Sequence, residues 1–525
     1  MKFKEQIIKD LMKSQPKNSE ELGYSKRKVS KVYKIPCPSN IELLKAYHGL
    51  VKNKRVRSFK KFEILLKTRP IRSLSGIVNI SVLTKPYPCP GRCLYCPVEK
   101  GIPKSYVSGE PAVERAKKLK YNPYLQVEQR IKMLEIEGHP TDKIELRIIG
   151  GTWSFYPKKY QTRFVKRCFD ACNGKTGKKL EEAQKLNEKA KHRVVGLSIE
   201  TRPDFITFSE IKRLRELGVT MVELGVQSIY DDVLKFNLRG HGIKETILAT
   251  GLLKNAGFKV LYQMMPNLPG SDLKRDKRMF RKLFSNSNFQ PDLLKIYPCA
   301  LLKEAPLYQW WKRGKYKPYS EKSLIKLIKE IKRGIPYYVR IQRITRDIPS
   351  QRIVTGPAKI SNLRQIIARD MLKENWQCKC IRCREVRKSY DPREKLYLFR
   401  QEYEASGGKE VFLSFENKNR TKLYSLLRLR LPDPSENSSR YIFPVLRNAA
   451  IIREIHTYGE LIPLGEKKLA PQHRGLGKKL IEEAEKIAKK DFSLNKLAVI
   501  SAIGVRDYFR KLGYRLRNAY MVKEL

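Results

Sequence analysis

The chain has 525 residues, with 110 Lys and Arg against 53 Asp and Glu, and its formal net charge is +57. A surface that is charged only for solubility or heat resistance balances Lys with Glu, so this excess indicates a polyanionic partner, first of all nucleic acid. No run of about 18 apolar residues and no apolar N-terminal leader is present in the sequence, so we expect a cytoplasmic protein without a membrane partner.

The predicted elements form four regions in chain order. Residues 1–68 are basic and helical, as in "SKRKVSKVYK", and form an extension, with a disordered tail as the alternative. Residues 69–372 alternate short apolar runs with helical segments, which predicts parallel βα units in a partial or full TIM-like (β/α) barrel. Residues 373–394 hold a compact cysteine segment, and residues 395–525 form a mixed α/β domain that begins with strands. The predicted barrel strands are 76–84, 144–150, 193–200, 219–227, 258–265 and 292–298.

The first predicted strand leads into "KPYPCPGRCLYCP", which contains Cys89, Cys93 and Cys96. A closed zinc site has four ligands, and no other Cys or His lies between residues 49 and 138. Three thiolates can instead hold an iron–sulfur cube and leave one iron open to an external ligand. In a barrel the chemistry lies at the C-terminal ends of the strands, where this loop falls. The pattern therefore favours a cluster, and a zinc loop completed by a distant residue is the alternative.

With Tyr95 before its last cysteine, this loop resembles that of the radical S-adenosylmethionine (SAM) superfamily. The resemblance implies a [4Fe–4S] cluster that, given an external reductant, cleaves SAM to a 5′-deoxyadenosyl radical. "IIGGTW" resembles the glycine-rich motif of that superfamily, with Thr152 where many members carry Glu, and "SIETRPD" offers a further clamp for SAM. The residues that would contact SAM are Tyr95, Gly150, Gly151, Thr152, Glu200 and Arg202.

A second motif, "QHRGLGKKL", opens a predicted helix in the last region. Its glycines let backbone amides approach a pyrophosphate, although such a stretch is often only a tight turn. The order of strands and helices around it resembles the GNAT acetyltransferase fold, which implies bound acetyl-CoA and a catalytic place for Tyr508 near the thioester. Core packing is the alternative for Tyr508 and Phe509. The residues that would contact acetyl-CoA are Glu454, Ile455, His456, Thr457, Gln472, Gly475, Leu476, Gly477, Lys478, Tyr508 and Phe509.

A second group of cysteines, Cys378, Cys380 and Cys383, lies in "WQCKCIRCREV". Cys299, just past the last predicted barrel strand, would complete four thiolates, which suit tetrahedral zinc. We therefore expect a structural zinc ion, with a second iron–sulfur cluster as the alternative. The remaining cysteines receive no role: Cys37, Cys168 and Cys172.

The combination of all four regions resembles the catalytic subunit 3 of Elongator, in an archaeal-type form. Supporting strings include "VELGVQSIYDDVLKFNLRGH" and "MMPNLPG". The resemblance implies a tRNA uridine(34) acetyltransferase. In that family reaction the SAM-derived radical takes hydrogen from the methyl group of acetyl-CoA, the carbon radical adds to C5 of the wobble uridine, and thioester hydrolysis leaves a carboxymethyl group. The expected partners are the tRNA anticodon stem-loop, held by basic surfaces that include the extension, and a second copy or other Elongator-like subunits.

Three other functions compete with this interpretation. A conventional GNAT protein lysine acetyltransferase with a regulatory SAM-binding barrel would use Glu454 or Glu460 as its base, but the intact cysteine triad favours working radical chemistry. The same triad, with the complete glycine loop, disfavours a non-catalytic tRNA-binding subunit. A radical SAM RNA methylthiotransferase would carry an extra cysteine-bearing N-terminal domain and a C-terminal RNA-binding barrel, and the sequence suggests neither.

Overall fold

The computed structural model describes residues 2–68, 73–387, 391, 393–432, 443–459 and 475–525. Two seven-stranded sheets organise this part of the chain, and helices pack around both of them. Within these ranges, no helix is both long enough and apolar enough to cross a membrane.

Four N-terminal helices form a small basic unit with an apolar cluster of its own. They are α1 (Lys2–Lys13), α2 (Ser19–Val32), α3 (Asn40–Lys52) and α4 (Lys60–Leu66). Ser39 caps α3 in a reciprocal capping box with Glu42, which satisfies amides that the first turn leaves free. Leu11, Leu43 and Phe62, from three of the helices, are buried together in this cluster. The sequence predicted the helices but no large independent core, and the cluster is indeed a small one shared between helices.

The first sheet is a parallel half-barrel of seven strands. They are β1 (Val78–Leu83), β2 (Lys143–Ile149), β3 (Arg193–Thr201), β4 (Met221–Gln227), β5 (Lys259–Met264), β6 (Leu293–Ile296) and β7 (Arg340–Arg343), paired in that order. Each strand runs parallel to the next, as crossover connections require. Because β1 and β7 lie at the two edges of the described sheet, the barrel is partial. Its C-terminal strand ends all face the same side.

The sequence predicted six of these seven strands. Parallel strands are covered on both faces and therefore read as continuous apolar runs. Every residue of β4 is buried, which shows the pattern clearly. The sequence did not reveal β7, because only Ile341 of its four residues, "RIQR", is buried.

Helices lie between the barrel strands, and two more follow the last strand; they pack on the sheet from outside. Amphipathic spacing fixes them there, as in the helix at residues 321–333, which buries Leu324, Leu327, Ile328 and Ile331. These helices are α5 (Pro111–Lys118), α6 (Pro123–Ile136), α7 (Lys158–Asn173), α8 (Leu180–Asn187), α9 (Phe208–Glu216), α10 (Asp231–Phe236), α11 (Ile243–Asn255), α12 (Leu273–Ser285), α13 (Leu307–Lys312), α14 (Glu321–Arg333), α15 (Leu363–Lys373) and α16 (Ile381–Arg384).

The second sheet is mixed and carries two helices, α17 (Leu476–Lys486) and α18 (Arg506–Arg510). Its strands are β8 (Tyr397–Glu404), β9 (Gly408–Glu416), β10 (Leu423–Pro432), β11 (Ala449–Thr457), β12 (Lys496–Val499), β13 (Arg515–Arg517) and β14 (Tyr520–Glu524), in the spatial order β13-β14-β12-β11-β10-β9-β8. Only β11 and β12 pair in parallel. Their pairing ends at Ile452 and Val499, while β11 continues to Thr457. One edge of β11 is therefore left open.

A buried network of charges joins the two sheets. Arg453 on β11 donates to both oxygens of Asp292, at 2.9 and 2.5 Å, and to Glu410 on β9 at 2.9 Å. Arg428 on β10 donates to the carbonyl of Tyr338 at 2.7 Å. Burial raises the pKa of Asp292, but the surrounding cations lower it far more, so this carboxylate stays charged. Because losing one partner of such a network leaves a buried charge uncompensated, the network fixes the second sheet against the barrel.

Candidate active site

The loop with Cys89, Cys93 and Cys96 follows β1 and is held from two sides. The amide of Leu94 donates to the carbonyl of Asn237 at 3.2 Å, just after α10. The carbonyl of Leu94 accepts a hydrogen bond from the first amide of α13 at 2.8 Å. Cys93 is buried and the other two cysteines are partly exposed. The three thiols thus lie in an anchored loop at the C-terminal end of a barrel strand.

The spacing of these thiols disfavours a single shared metal ion. Around tetrahedral zinc with bonds of about 2.3 Å, sulfur atoms lie about 3.8 Å apart. Among the described residues, the only three Cys, His or acidic side chains whose ligand atoms all lie within 4.8 Å of one another belong to the later cysteine segment. A Cβ on Gly91 would lie 3.5 Å from Cys93 Sγ and 3.8 Å from Cys89 Sγ. Wider thiol spacing and the space that this glycine leaves both fit an iron–sulfur cluster.

The surroundings shift the pKa values of Cys93 and Cys96 in opposite directions. Burial raises the pKa of Cys93, but the charge and hydrogen bond of Arg239 (Nη1 to Sγ, 3.5 Å) outweigh it, so this pKa is lowered. Burial and then Cys93 raise the pKa of Cys96 to about 12. Burial, and then Arg239 and Arg202, lower the pKa of His241 to about 2, so its imidazole is neutral. Cys93 is thus a thiol paired with a buried cation.

The predicted glycine-rich motif lies against the cysteine loop. Gly150 and Gly151 have φ angles of 118° and 59°, a region that favours glycine. A Cβ on Gly150 would lie 2.3 Å from Thr84 Oγ1, so no other residue fits there without a shift. Thr152 Oγ1 lies 3.7 Å from Cys89 Sγ. The structure therefore brings the motif and the thiols together.

Arg202 also borders the cysteine loop. A Cβ on Gly91 would lie 2.8 Å from its Nη1. Both oxygens of Asp204 accept from the Arg202 guanidinium, at 2.9 and 2.7 Å. This bidentate pair orients the guanidinium and balances its charge.

Glu200 lies at the end of β3, where three side chains donate to it. They are Tyr106 at 2.9 Å, Gln263 at 3.0 Å and Lys295 at 3.2 Å. The donors come from a loop, β5 and β6, so Glu200 is fixed from several elements. These contacts leave Glu200 as an oriented carboxylate at the wall of the barrel interior.

A second acid beside Glu200, the buried Glu223 on β4, was not predicted from the sequence. Lys295 forms an ion pair with it, and Arg147 on β2 donates to it at 2.6 Å. Burial raises the pKa of Glu223, but Lys295 and then Arg147 outweigh burial and lower it to about 2. The signal in the sequence was present: single charged residues interrupt the apolar runs "ELRII", "VELGV" and "LLKIY". In strands buried on both faces, such residues point to a polar interior site.

One continuous cavity of about 1350 Å³ connects the barrel interior to the second sheet. Tyr95, Cys96 and Glu200 line its barrel end, and Gly477 and Tyr508 line the other end. The cysteine loop and the glycine motif at the start of α17 are far apart in the sequence, but both border this one cavity.

The second part of the site is built around the start of α17. Gly475, with φ of 68°, precedes the helix. A Cβ on Gly477 would lie 3.4 Å from Tyr508 Oη and 3.7 Å from Thr457 Oγ1. The helix N-terminus thus opens beside the free edge of β11, which favours an anion there. Gln472, predicted as a further contact, lies outside the described residues.

Two predicted acetyl-CoA contacts are largely taken up by packing. The Leu476 side chain is buried against Val386 and Tyr424, so only its backbone is free for a ligand. Phe509 is 2% exposed and belongs to the core under the second sheet, although one edge reaches the cavity. Tyr508 is 43% exposed and remains accessible. Lys478 is exposed as well.

The end of β11 lines the cavity with Glu454, Ile455, His456 and Thr457. Glu454 accepts from Arg428 at 2.8 Å and pairs with Lys259 at 3.2 Å. Burial raises the pKa of Glu454, but Lys259 and then Arg428 lower it overall to about 2. The imidazole of His456 is hydrogen-bonded through Nε2 to a backbone carbonyl at 2.9 Å. A carboxylate held in two ion pairs is a poor proton acceptor at neutral pH.

The later cysteines form a compact group. The ligand atoms of Cys378, Cys380 and Cys383 all lie within 4.8 Å of one another. Cys378 and Cys380 are buried, and Cys383 is partly buried. Lys332 on α14 donates to Cys383 Sγ at 3.4 Å. The spacing suits one tetrahedral ion, and the ammonium group offsets negative charge on the sulfur atoms.

The structure does not bring Cys299, the fourth ligand expected from the sequence, into this group of closely spaced ligand atoms. It packs instead with Tyr316 and Leu307 in a separate apolar cluster beside α10 and α13. Its amide donates to the carbonyl of Pro266 at 3.0 Å, which turns the chain toward that cluster after β6. Burial raises the pKa of this thiol to about 12. The position of Cys299 in the sequence does not show in which direction the chain turns after β6, so its distance from the other thiols could not be predicted.

The half-barrel and its cysteine loop define a radical SAM protein. The Radical SAM superfamily model matches residues 87–283, and the Radical SAM C-terminal domain model matches residues 291–373. That superfamily implies a [4Fe–4S] cluster and SAM, and the residues described above fit both.

Whole-chain relatives narrow this class. The chain is 44% identical to the tRNA uridine(34) acetyltransferase of Methanocaldococcus infernus, over 99% of this chain and 98% of that protein. It is 39% identical to Homo sapiens Elongator complex protein 3, over 88% of this chain and 86% of that protein. A solved structure of M. infernus Elp3 with an N-terminal deletion (1–46) has a TM-score of 0.75 and 43% identity, and covers 86% of this chain and all of that chain. The chain belongs to the family of tRNA uridine(34) acetyltransferases and Elongator complex proteins 3.

Proposed function

We propose that this chain is a tRNA uridine(34) acetyltransferase that joins the methyl carbon of acetyl-CoA to C5 of the wobble uridine by radical chemistry. The observation that carries the proposal is the single cavity that runs from Cys96 to Tyr508. A carbon–carbon bond at uridine C5 requires the radical source and the thioester to share one enclosed space. The names of the relatives that cover the whole chain agree with it.

The cysteine loop would hold the cluster through Cys89, Cys93 and Cys96. A cluster held there, together with SAM and an external one-electron donor, would supply the chemistry of a 5′-deoxyadenosyl radical. The backbone of Gly150 and Gly151 would receive the amino group of SAM, and the close packing at Gly150 leaves no room for a side chain there. Arg202, Glu200, Thr152 and Tyr95 complete the proposed SAM contacts.

Acetyl-CoA would lie along the open edge of β11. The pyrophosphate would accept from the first amides of α17, beside Gly475, Gly477 and Lys478. The pantetheine would follow Ile455 and Thr457 toward the barrel. Burial, and then Glu482, raise the pKa of Tyr508, so its phenol keeps its proton at neutral pH. It would donate a hydrogen bond to the thioester carbonyl during hydrolysis.

The RNA would enter along a basic wall of the cavity formed by β7, α15 and α16. Three carboxylates pair with arginines of this wall: Glu385, Asp347 and Glu110. Six arginines line it, so positive charge is in excess: Arg340, Arg343, Arg346, Arg364, Arg382 and Arg387. Phosphates that flank an extruded wobble base are the chemistry that this excess suits. We also propose that the protein is cytoplasmic and that it associates with a second copy of itself or with other Elongator-like subunits.

The later cysteine group would hold zinc in a structural role. Cys378, Cys380 and Cys383 provide three thiolates in a buried segment between the barrel and the second sheet. The described residues provide no fourth Cys, His or acidic ligand atom within the same distance limit. Zinc–thiolate bonds would hold this short segment in place, as structural zinc does in small folds.

The decisive experiment is anaerobic and uses the full chain with reconstituted cluster, reductant, SAM, acetyl-CoA and tRNA. The tRNA is digested and its nucleosides are analysed by mass spectrometry. Carboxymethyluridine at position 34, absent with the Cys89→Ala variant, supports the proposal. Acetylated lysine peptides together with unchanged uridine would contradict it and favour a protein acetyltransferase. The two ion pairs of Glu454 disfavour it as the base of that alternative, whereas the second candidate base, Glu460, lies outside the described residues.

A further inference from the structure

The buried cation beside the cysteine loop has no role in the proposed reaction so far. Arg239 is 8% exposed, and its side chain enters the site from the loop between α10 and α11. Nη1 donates to Cys93 Sγ at 3.5 Å, and Nη2 donates to the carbonyl of Gly225 at 2.5 Å. Its Nε is buried and has no hydrogen-bond partner.

Arg239 differs from Arg202, the other arginine beside the cysteine loop, in its lack of a carboxylate partner. Throughout the described part of the chain, no carboxylate lies within 4.0 Å of its guanidinium, whereas Arg202 nearby is paired with Asp204. A buried arginine normally needs an anion, because desolvating an unpaired charge is costly. The acidic group that its guanidinium contacts is the thiol of Cys93, whose Sγ lies 3.5 Å from Nη1. The anion that this guanidinium faces would therefore be the Cys93 thiolate when it holds a cluster.

The missing side chain of Gly225 leaves the space that this guanidinium occupies. β4 carries Gly225 where a Cβ would lie 2.5 Å from Arg239 Nη2. The backbone of Gly225 is extended, so its conformation does not demand glycine, but a Cβ at this position would displace the guanidinium. The glycine and the arginine are thus matched to each other within the barrel.

We infer that Arg239 is a positioning residue that raises the reduction potential of the cluster by pairing with Cys93. The inference rests on the cluster part of the proposed function. Reduction adds one electron to a cluster that is already negative, because three thiolates hold it. Hydrogen bonds to the sulfur atoms and a buried positive charge stabilise the more negative form. No bond forms or breaks in this step, and the electron comes from an external low-potential one-electron donor.

The test is a redox titration of the reconstituted full-length protein without SAM, acetyl-CoA or tRNA. The reduced cluster is quantified by electron paramagnetic resonance as dithionite sets the potential. In Arg239→Met we expect the ratio of reduced to oxidised cluster at a fixed potential to fall about tenfold, which is 59 mV for a one-electron couple. Arg239→Lys keeps the charge and should restore most of the ratio.

Two further variants separate charge from structure. Gly225→Ala keeps the charge but displaces the guanidinium from Cys93. We expect the ratio of reduced to oxidised cluster to fall by more than in Arg239→Lys and by less than in Arg239→Met. Arg215→Met is the matched control. Arg215 is a buried arginine that donates to backbone carbonyls and has no carboxylate partner among the described residues. We expect its loss to leave the reduction potential of the cluster unchanged.

Equal potentials for the parent and Arg239→Met, at equal iron content, would overturn the inference. A reduction potential that falls as far in Arg239→Lys as in Arg239→Met would also overturn the inference. If Arg239→Met, Arg239→Lys and Gly225→Ala all lose iron, Arg239 is a structural residue and the inference is also wrong. Because the titration contains no RNA or acetyl-CoA, these outcomes do not depend on the proposed product.

Discussion

The two groups of cysteines in this chain have similar sequence spacing and different surroundings. The loop thiols of Cys89, Cys93 and Cys96 border a large cavity and a glycine turn, and their ligand atoms do not all lie within 4.8 Å of one another. The later thiols are close together and packed between elements. Open, widely spaced thiols suit a cluster with a free iron, whereas compact buried thiols suit a single ion that stabilises the fold.

The cations beside each group reinforce this difference. Arg239 reaches Cys93 from within the barrel, and its charge is always present. Lys332 reaches Cys383 from α14, at the far side of the barrel wall. Spacing in the sequence therefore gives the number of thiols, but the ligand that they hold depends on the distances and charges around them.

The largest effect should follow from the loop. Cys93→Ser removes the buried thiolate that pairs with Arg239, so we expect the cluster to be lost and carboxymethyluridine formation to fall more than a thousandfold. Metal analysis by mass spectrometry should show loss of iron and unchanged zinc. A variant that keeps its iron and its product would show that the cluster lies elsewhere.

The second largest effect should follow from the compact group. Cys380→Ser removes its most buried thiol, so we expect loss of zinc, a decrease in melting temperature and retained iron. Zinc sites of this kind contribute directly to folding free energy. Melting followed by circular dichroism, with and without added zinc, measures the effect. If iron is lost and zinc is kept, the assignment of the two groups is reversed.

The sequence predicted the architecture well because the barrel depends on patterns that are local. Continuous apolar runs gave six strands, and the mixed second sheet followed from its order of strands and helices. The position of "IIGGTW" at the end of β2 placed its glycines next to the cysteine loop. These features need only the rule that parallel strands end on the same side.

What the sequence could not give depends on contacts between distant segments. The ion pairs of Glu223 join three strands, and no spacing rule relates Arg147, Glu223 and Lys295. The position of Cys299 depends on the turn of the chain after β6, where its amide donates to the carbonyl of Pro266 from the loop after β5. The burial of Leu476 against Tyr424 likewise follows from how α17 meets β10.

A smaller effect, confined to the loop side, should follow from Gly150→Ala. The new Cβ would lie 2.3 Å from Thr84 Oγ1, and the φ of 118° is unfavourable for alanine. Strain of this kind costs about 1–3 kcal/mol. We expect weaker SAM binding by about tenfold or more in equilibrium dialysis, with both metals retained. Unchanged SAM affinity would show that this turn is not part of the SAM site.

The smallest effect should come from Cys299→Ala, which tests the separation of the two groups directly. Cys299 is buried among apolar side chains and does not join the compact group. The change removes only a sulfur atom from a packed cluster, so we expect a loss of stability of about 1 kcal/mol and full content of both zinc and iron. Valine at the same position, which refills the space, should recover part of that stability. If zinc is lost from both variants while iron remains, Cys299 reaches the compact group in solution and the four-thiolate site predicted from the sequence is correct.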